Sequence, residues 1–128
     1  MPKVLIAEDE PDVLEIMAQK IAASGYEVIP VNNGDTAWEK IQREDPDVVL
    51  MDLSMPGLQG FEVLERLRQN PPSSKWCPVI IVSAHDTLDS MRKGFDLEAE
   101  HYLTKPCSIE EVLRAIELVL RLTSQKKQ

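Results

Sequence analysis

The chain has 128 residues, of which 43% are hydrophobic and 28% are charged, a balance that is ordinary for one globular domain and excludes disordered and collagen-like classes. No apolar run approaches the roughly 20 residues that a membrane span requires, and the N-terminus lacks the apolar stretch of a signal peptide. The formal net charge of -8 argues against binding to nucleic acid or to anionic membranes, and the expected location is cytoplasmic.

Short apolar runs alternate along the chain with segments of helical periodicity. Three of the runs are continuous, which is typical of strands covered on both faces of a sheet. A weaker run contains Pro30, which favours a strand at the edge of the sheet. The five predicted strands cover residues 4–7, 27–31, 48–51, 79–82 and 101–104.

Each strand is followed by a helical segment. The first helix begins near Pro11, and Gly25 stands where a glycine would end it. The pattern Ser108-x-x-Glu111 is typical of a capping box at the start of the last helix. The helices after the first are predicted at about residues 35–44, 59–69, 86–95 and 109–122.

This alternation predicts the α/β class, with a single doubly wound, five-stranded parallel sheet flanked by five helices. We expect one domain over residues 1–122 and a short C-terminal tail over residues 123–128. Since only this tail follows the last helix, the chain is expected to be either a stand-alone domain or a piece of a longer protein.

Polar side chains follow four of the strands directly. In such sheets, ligands bind at the carboxyl ends of the strands, so these side chains are expected to meet at one edge. They comprise three carboxylates, a hydroxyl and an ammonium group. The five residues are Glu8, Asp9, Asp52, Ser83 and Lys105.

This set of groups fits phosphoryl chemistry. Carboxylates at close quarters repel one another and are costly to desolvate, unless a cation compensates. Mg²⁺ suits best, because it typically binds one or two carboxylates, several waters and a phosphate. Asp52 beside such an ion can act as a nucleophile towards phosphorus, and Lys105 and the Ser83 hydroxyl can bind the oxygens of the transferred group.

Each residue also has an ordinary structural interpretation. Asp9 could be a helix N-cap, Asp52 a turn residue, and Ser83 a hydroxyl bonded to local backbone. Lys105 alone could simply be solvated. Four separate strand ends carry fitting residues, and this coincidence favours the functional interpretation.

The chain resembles the receiver domain of bacterial two-component response regulators, and it is close in size to the chemotaxis response regulator. The resemblance runs from Val4 to about Leu122. It is carried in order by Glu8-Asp9, the segment 52–57 (DLSMPG), Ser83-Ala84 and the segment 102–106 (YLTKP). It implies the flavodoxin-like strand order 2-1-3-4-5 and a phosphorylation-activated switch of a phosphorelay, not an enzyme.

The resemblance also implies a role for each matching residue. Asp52 would be the phosphoacceptor. Asp9, Asp52 and the backbone carbonyl of Ser54 would hold Mg²⁺, and Glu8 would help directly or through water. Lys105 would pair with the phosphoryl group, or with Asp52 before phosphorylation. The phosphoryl-binding and switch residues would be Ser83, Ala84 through its backbone, Lys105 and Tyr102, the last turning inwards, and Lys105-Pro106 would be a cis peptide.

Several positions depart from the family's commonest pattern or vary within it, among them Ser83, where threonine is also frequent, and Cys107, where phenylalanine is common. Ser54 and His85 occupy variable positions that tune dephosphorylation in the family, and His85 is either a residue that controls water or an exposed spectator. Glu98 stands where glycine is common, which predicts a local difference in the loop before the last strand.

The implied partners are a sensor histidine kinase or phosphotransfer protein and a downstream effector protein or fused output domain. Contact would be made through the face formed by the fourth helix, fifth strand and fifth helix. A phosphorylation-dependent homodimer through that face is a further expectation, and no direct binding of nucleic acid or membrane is expected.

Three other classes of protein fit the sequence less well. A Mg²⁺-dependent phosphohydrolase commonly has a second aspartate two residues after the nucleophile, where this chain has Ser54. A flavodoxin-like cofactor module would need a phosphate-binding loop after the first strand, where Glu8, Asp9 and Glu10 would repel phosphate. A receiver that binds partners without phosphorylation has little support, because all the site residues are present.

Overall fold

The computed structural model describes residues 1–126, which form one five-stranded parallel sheet with helices on both faces. In chain order the elements are β1 (Lys3–Ala7), α1 (Pro11–Ala23), β2 (Glu27–Val31), α2 (Gly34–Glu44), β3 (Val48–Met51), α3 (Gly60–Gln69), β4 (Val79–Ser83), α4 (Leu88–Asp96), β5 (His101–Thr104) and α5 (Ile109–Lys126). The strand order is β2-β1-β3-β4-β5, so the predicted class and topology are confirmed. Among the described residues, no helix combines the length and apolar character that crossing a membrane requires.

The three central strands are buried on both faces. Successive side chains of a strand point to opposite sides, and in β1 Val4 packs with α1 and α5 whereas Leu5 packs with α2 and α3. This explains why the central strands are continuous apolar runs without alternation. Pro30 lies in β2 at the edge of the sheet, as predicted.

Local capping residues set the helix ends. The Asn33 side chain accepts a hydrogen bond from the Thr36 N–H at 2.8 Å and so begins α2. The predicted capping box of α5 is present, because the Glu111 N–H donates to Ser108 Oγ at 3.1 Å and the Ser108 N–H donates to the Glu111 carboxylate at 3.3 Å. Gly25 follows α1 with a φ of 98°, the left-handed conformation that favours glycine.

The last helix is longer than predicted. We expected α5 to end at Leu122, but it continues to Lys126, so residues 123–126 of the predicted tail are helical. Thr123 is buried, and its hydroxyl donates to the Val119 carbonyl one turn earlier, which satisfies the polar group within the helix. Residues 127–128 of the predicted tail lie outside the described part of the chain.

The end of α4 has a hydrogen-bonding pattern that usually involves glycine. The Ala99 N–H donates to the Gly94 carbonyl at 3.0 Å and the Glu98 N–H donates to the Phe95 carbonyl at 2.9 Å, which together form a Schellman motif. Glu98 occupies the left-handed position of this motif with a φ of 63°. The backbone therefore adopts there the conformation that glycine favours, although the residue is glutamate.

Replacing Glu98 by glycine is expected to stabilise the protein. The left-handed conformation costs an L-residue about 1–2 kcal/mol, and the extra freedom of glycine in the unfolded chain offsets about half of this gain. We expect the free energy of unfolding in urea to rise by about 0.5–1 kcal/mol. Glu98→Ala is the control, because it removes the carboxylate and retains the Cβ; an equal gain in both variants would show that the carboxylate, and not the backbone, is responsible.

Candidate functional site

The carboxyl ends of four strands bring the site residues together. The parallel register aligns Ala7 of β1 with Met51 of β3, and Met51 with Ile81 of β4. Ser83 ends β4 and is aligned with Thr104 of β5, so the residues at and just after these strand ends lie at the same edge of the sheet. The structure brings together Glu8, Asp9, Asp52, Ser83 and Lys105 in this way.

Three carboxylates form the centre of the site. Oxygens of Glu8, Asp9 and Asp52 all lie within 4.8 Å of one another. The Glu8 and Asp52 side chains are buried and Asp9 is exposed, so the cluster is open to solvent on the side of Asp9. These donors fit a small divalent cation such as Mg²⁺, which uses oxygen ligands and keeps several waters.

Lys105 supplies a positive charge beside the buried carboxylates. Its Nζ donates to Glu8 Oε1 at 2.6 Å and to Asp52 Oδ2 at 2.8 Å. The contact with Asp52 is the one that the resemblance implied, whereas the contact with Glu8 was not predicted. Since the two contacts are similar in length, Lys105 compensates both buried charges at once.

Burial and hydrogen bonding shift the pKa values of this pair. Burial raises the pKa of Glu8, and the hydrogen bonds from Lys105 and from the Glu10 N–H oppose this effect without cancelling it. Burial lowers the pKa of Lys105, but the hydrogen bonds to Asp52 and Glu8 raise it by more, so it lies above its usual range. Lys105 is therefore an ammonium group at neutral pH.

Asp52 has both the turn role and the site role that the sequence left open. Its Oδ1 accepts a hydrogen bond from the Ser54 N–H at 3.1 Å, which closes the turn after β3. Its Oδ2 contacts Lys105. The Asp52 N–H donates to the Ala7 carbonyl at 3.1 Å, so the backbone is held by β1 while the carboxylate faces the site.

His85 joins the two sides of the site entrance. Its Nε2 lies 2.8 Å from Ser54 Oγ, on the loop after β3. The backbone N–H of His85 donates to Ser83 Oγ at 3.2 Å, and its backbone carbonyl accepts a hydrogen bond from the Tyr102 hydroxyl at 2.6 Å. His85 is exposed but bonded on three sides. The resemblance placed Ser54 and His85 beside the site but did not predict these contacts.

The remaining expected residues also have defined places. Ala84 follows β4 and is exposed, and the Lys105-Pro106 peptide is cis, as the resemblance implied. Asp9 does not cap α1, because the N-cap residue of that helix is Glu10. The ordinary interpretation of Asp9 is therefore wrong, and its carboxylate belongs to the acidic cluster.

The fold and the site together define a receiver-type signalling domain. Residues 4–117 match the family model of the response regulator receiver domain, and the chain belongs to this family. Receiver domains are the phosphorylation-activated switches of two-component signalling, and this chain is one of them.

The relatives are response regulators and related signalling proteins. The chain is 33% identical over 119 residues to the alkaline phosphatase synthesis transcriptional regulatory protein PhoP of Bacillus subtilis, covering 93% of this chain and 48% of the relative. It is 36% identical over 121 residues to the sensory transduction protein RegX3 of Mycolicibacterium smegmatis, covering 94% of this chain and 51% of the relative. The chain thus spans about half the length of these curated relatives.

Solved structures of similar proteins have the same fold throughout. The receiver domain of the Francisella response regulator 1452 superposes with a TM-score of 0.88 at 31% identity, over 96% of this chain and 99% of that one. The chemotaxis protein CheY4 of Vibrio cholerae superposes with a TM-score of 0.85 at 27% identity, over 93% of this chain and 98% of that one.

Proposed function

We propose that Asp52 accepts the phosphoryl group, and that Asp9, Asp52 and the backbone carbonyl of Ser54 hold Mg²⁺, with Glu8 acting directly or through water. The observation that carries this proposal is the position of Asp52. It is a buried carboxylate in an acidic cluster, and one of its oxygens lies 2.8 Å from Lys105 Nζ. The acidic cluster supports a metal site because its donors are oxygens that reach one another across a few ångströms.

The transfer is a displacement at phosphorus. An Asp52 carboxylate oxygen forms a bond to the phosphorus atom, while the bond from phosphorus to the donor's leaving atom breaks and its electron pair leaves with that atom. Lys105 holds the negative oxygens of the phosphoryl group, and the Ser83 hydroxyl and Ala84 backbone N–H donate to them. Bound Mg²⁺ would neutralise charge on the same oxygens. The chain promotes the gain and loss of its own phosphoryl group and converts no other substrate.

The switch begins at the Ser83 hydroxyl. This hydroxyl accepts a hydrogen bond from the backbone N–H of His85, and the His85 carbonyl accepts a hydrogen bond from the Tyr102 hydroxyl. When Ser83 donates to a phosphoryl oxygen, its Oγ moves towards Asp52, and His85 and Tyr102 move with it. The phosphoryl group therefore favours a second arrangement of the β4–α4 segment because it bonds better to that arrangement.

The partner surface is the face formed by α4, β5 and α5. It carries exposed apolar side chains on both helices, namely Leu88, Phe95, Leu118 and Leu122. A kinase or phosphotransfer protein supplies the phosphoryl group, and an effector protein, a fused output domain or a second copy of the chain binds this face. Gel filtration with and without a phosphoryl mimic tests the homodimer, and an unchanged elution volume would count against it.

Binding of beryllofluoride, a stable mimic of the phosphoryl group, tests the proposed acceptor site. In the presence of Mg²⁺ we expect one beryllofluoride per chain by ¹⁹F NMR, and none after Mg²⁺ is removed with EDTA. Asp52→Asn should not bind the mimic, because an amide oxygen is a poor ligand for beryllium. Equal binding by this variant, or binding without Mg²⁺, would contradict the proposal.

Removing the His85 side chain is expected to shorten the lifetime of the phosphoryl group. His85 Nε2 and Ser54 Oγ bridge the entrance above Asp52, and without this bridge water reaches the phosphorus atom more easily. Loss of one hydrogen bond corresponds to about a fivefold faster decay. Decay of the phosphorylated protein by intact-mass spectrometry measures this directly for His85→Ala.

The partner variant Ser54→Ala provides the control for this effect. It removes the hydroxyl and keeps the Ser54 carbonyl, so it should accelerate decay to the same extent. The double variant should decay no faster than either single variant, because both changes break the same bond. Additive effects, or a decay rate equal to that of the wild type, would show that the bridge does not control the lifetime.

A further inference from the structure

The two ends of α4 are held very differently. Residues 84–89, which include the start of α4, are all exposed. Near the other end, Gly94 and Ala99 are buried. A Cβ added at Gly94 would lie 2.8 Å from Ile81 Cδ1, so the helix packs closely on the sheet there. The C-terminal half of α4 is therefore anchored, whereas its N-terminal end lies largely in solvent.

Arg68 of α3 holds the anchored end. Its guanidinium group donates to the Leu97 carbonyl at 3.2 Å and to the Glu98 carbonyl at 2.8 Å, the two residues that directly follow α4. It also donates to the Cys77 carbonyl at 2.8 Å, in the segment that leads into β4. One side chain, 13% exposed, thus joins α3, the end of α4 and the start of β4.

Two further side chains fix the orientation of this guanidinium group. Trp76 stacks on Arg68 at 4.0 Å, and its Nε1–H donates to Glu100 Oε2 at 2.6 Å. Glu100 Oε1 accepts the Val79 N–H at 3.0 Å and contacts Arg68 at 3.3 Å. We call Arg68, Trp76 and Glu100 the Arg68 cluster. It lies at the edge of the sheet opposite Asp52.

The free end of α4 is connected to the site through His85. The contacts of His85 with Ser54, Ser83 and Tyr102 tie the segment before α4 to the entrance of the site. A change at Ser83 therefore reaches the N-terminal end of α4 through His85, whereas the Tyr102 ring also lies beside Gly94, where an added Cβ would meet it at 3.4 Å. No residue of the Arg68 cluster takes part in these contacts.

We propose that Arg68 is a positioning residue that makes the C-terminal end of α4 a fixed pivot, so that phosphorylation moves only the N-terminal half of the helix. This inference rests on the proposed function, since the movement is driven by a phosphoryl group on Asp52. The partner face then changes most around Leu88, which is 77% exposed, and least around Phe95. Without the pivot, the whole helix shifts and the face loses its defined active shape.

Hydrogen exchange measured by mass spectrometry, with and without Mg²⁺ and beryllofluoride, tests the pivot. In the wild type, exchange should change over residues 52–57 and 84–91 and stay constant over residues 93–100. In Arg68→Met, the change should extend over residues 93–100, where basal exchange should also be about tenfold faster because several hydrogen bonds are lost. Arg66→Met is the matched control, since Arg66 lies in the same turn of α3 but is exposed, and it should behave as the wild type.

Each result has a distinct meaning. Protection of residues 52–57 shows that the mimic is bound; if it is absent in the wild type, the proposed function fails and the pivot with it. If the site is protected but residues 93–100 also change in the wild type, or if Arg68→Met keeps the wild-type pattern, the pivot is wrong and the proposed function stands. Should Arg68→Met not fold, Arg68→Lys provides the same comparison, because a single ammonium cannot reach all three carbonyls.

Discussion

Replacing Lys105 by methionine is expected to slow phosphorylation by acetyl phosphate about 10²- to 10³-fold, while Mg²⁺ binds more tightly. In the proposed transfer the ammonium group is a preorganised partner for the phosphoryl oxygens, and the loss of one such group typically has an effect of this size. The same ammonium lies 2.6 Å from Glu8 Oε1 and 2.8 Å from Asp52 Oδ2, where it repels a second cation. Because Lys105 is 26% exposed, solvent screens part of this repulsion, and we expect an affinity gain of about three- to tenfold.

Phosphorylation should become slower while Mg²⁺ binding becomes tighter. Misfolding would instead weaken both phosphorylation and Mg²⁺ binding, so the opposite signs distinguish the two explanations. Lys75→Met is the matched control. Lys75 is 25% exposed and pairs with Asp47 at 3.1 Å, but at the opposite edge of the sheet. Phosphorylation kinetics and Mg²⁺ titration calorimetry should therefore be unchanged in that variant. If Lys105→Met were phosphorylated at the wild-type rate, Lys105 would have no part in the transfer.

Replacing Gly34 by alanine is expected to destabilise the protein by about 3 kcal/mol, on the order of a 10 °C decrease in Tm. Helix propensity alone predicts the opposite sign, because alanine stabilises a helix by about 1 kcal/mol relative to glycine. The added Cβ, however, would lie 1.6 Å from the Leu58 carbonyl oxygen. This obstacle is backbone, so either α2 or the loop after Asp52 must move, and overlap outweighs propensity.

Gly25→Ala distinguishes overlap from backbone strain. A Cβ at Gly25 would meet no atom within 4 Å, but the residue has a φ of 98°. Its replacement should cost about 1 kcal/mol through strain alone. Thermal unfolding of the two variants should therefore differ by about 2 kcal/mol at Tm. If Gly34→Ala and Gly25→Ala lost the same amount of stability, close contact between α2 and the loop after Asp52 would not explain the effect at Gly34.

The fold was predictable because its signals are local and repeated. Continuous apolar runs indicated the buried strands, Pro30 indicated an edge, and Gly25 and the Ser108–Glu111 pattern marked helix ends. The end of α5 was misplaced because Thr123 is polar by type, whereas its hydroxyl bonds to the Val119 carbonyl within the helix. The residue type alone does not show which acceptor a hydroxyl group will hydrogen-bond to.

The candidate site was predictable only as a set of strand ends. That rule brings Asp52 and Lys105 to the same edge, although 53 positions separate them in the chain. It does not give side-chain pairing, and so the Glu8–Lys105 contact and the bridge between Ser54 and His85 were not foreseen. The proximity of Arg68 and Glu100 likewise depends on how α3 packs beside β4, which no motif in the sequence records.

We expect Asp52 itself to take the phosphoryl group, with the help of Mg²⁺. Intact-mass spectrometry after incubation with acetyl phosphate tests it most directly, on the wild type and Asp52→Asn in parallel, each with Mg²⁺ and with EDTA. We predict a single phosphoryl adduct on the wild type with Mg²⁺, and none on the variant or with EDTA. An adduct of equal yield on Asp52→Asn, or a wild type that binds beryllofluoride but never gains a phosphoryl group, would contradict the account.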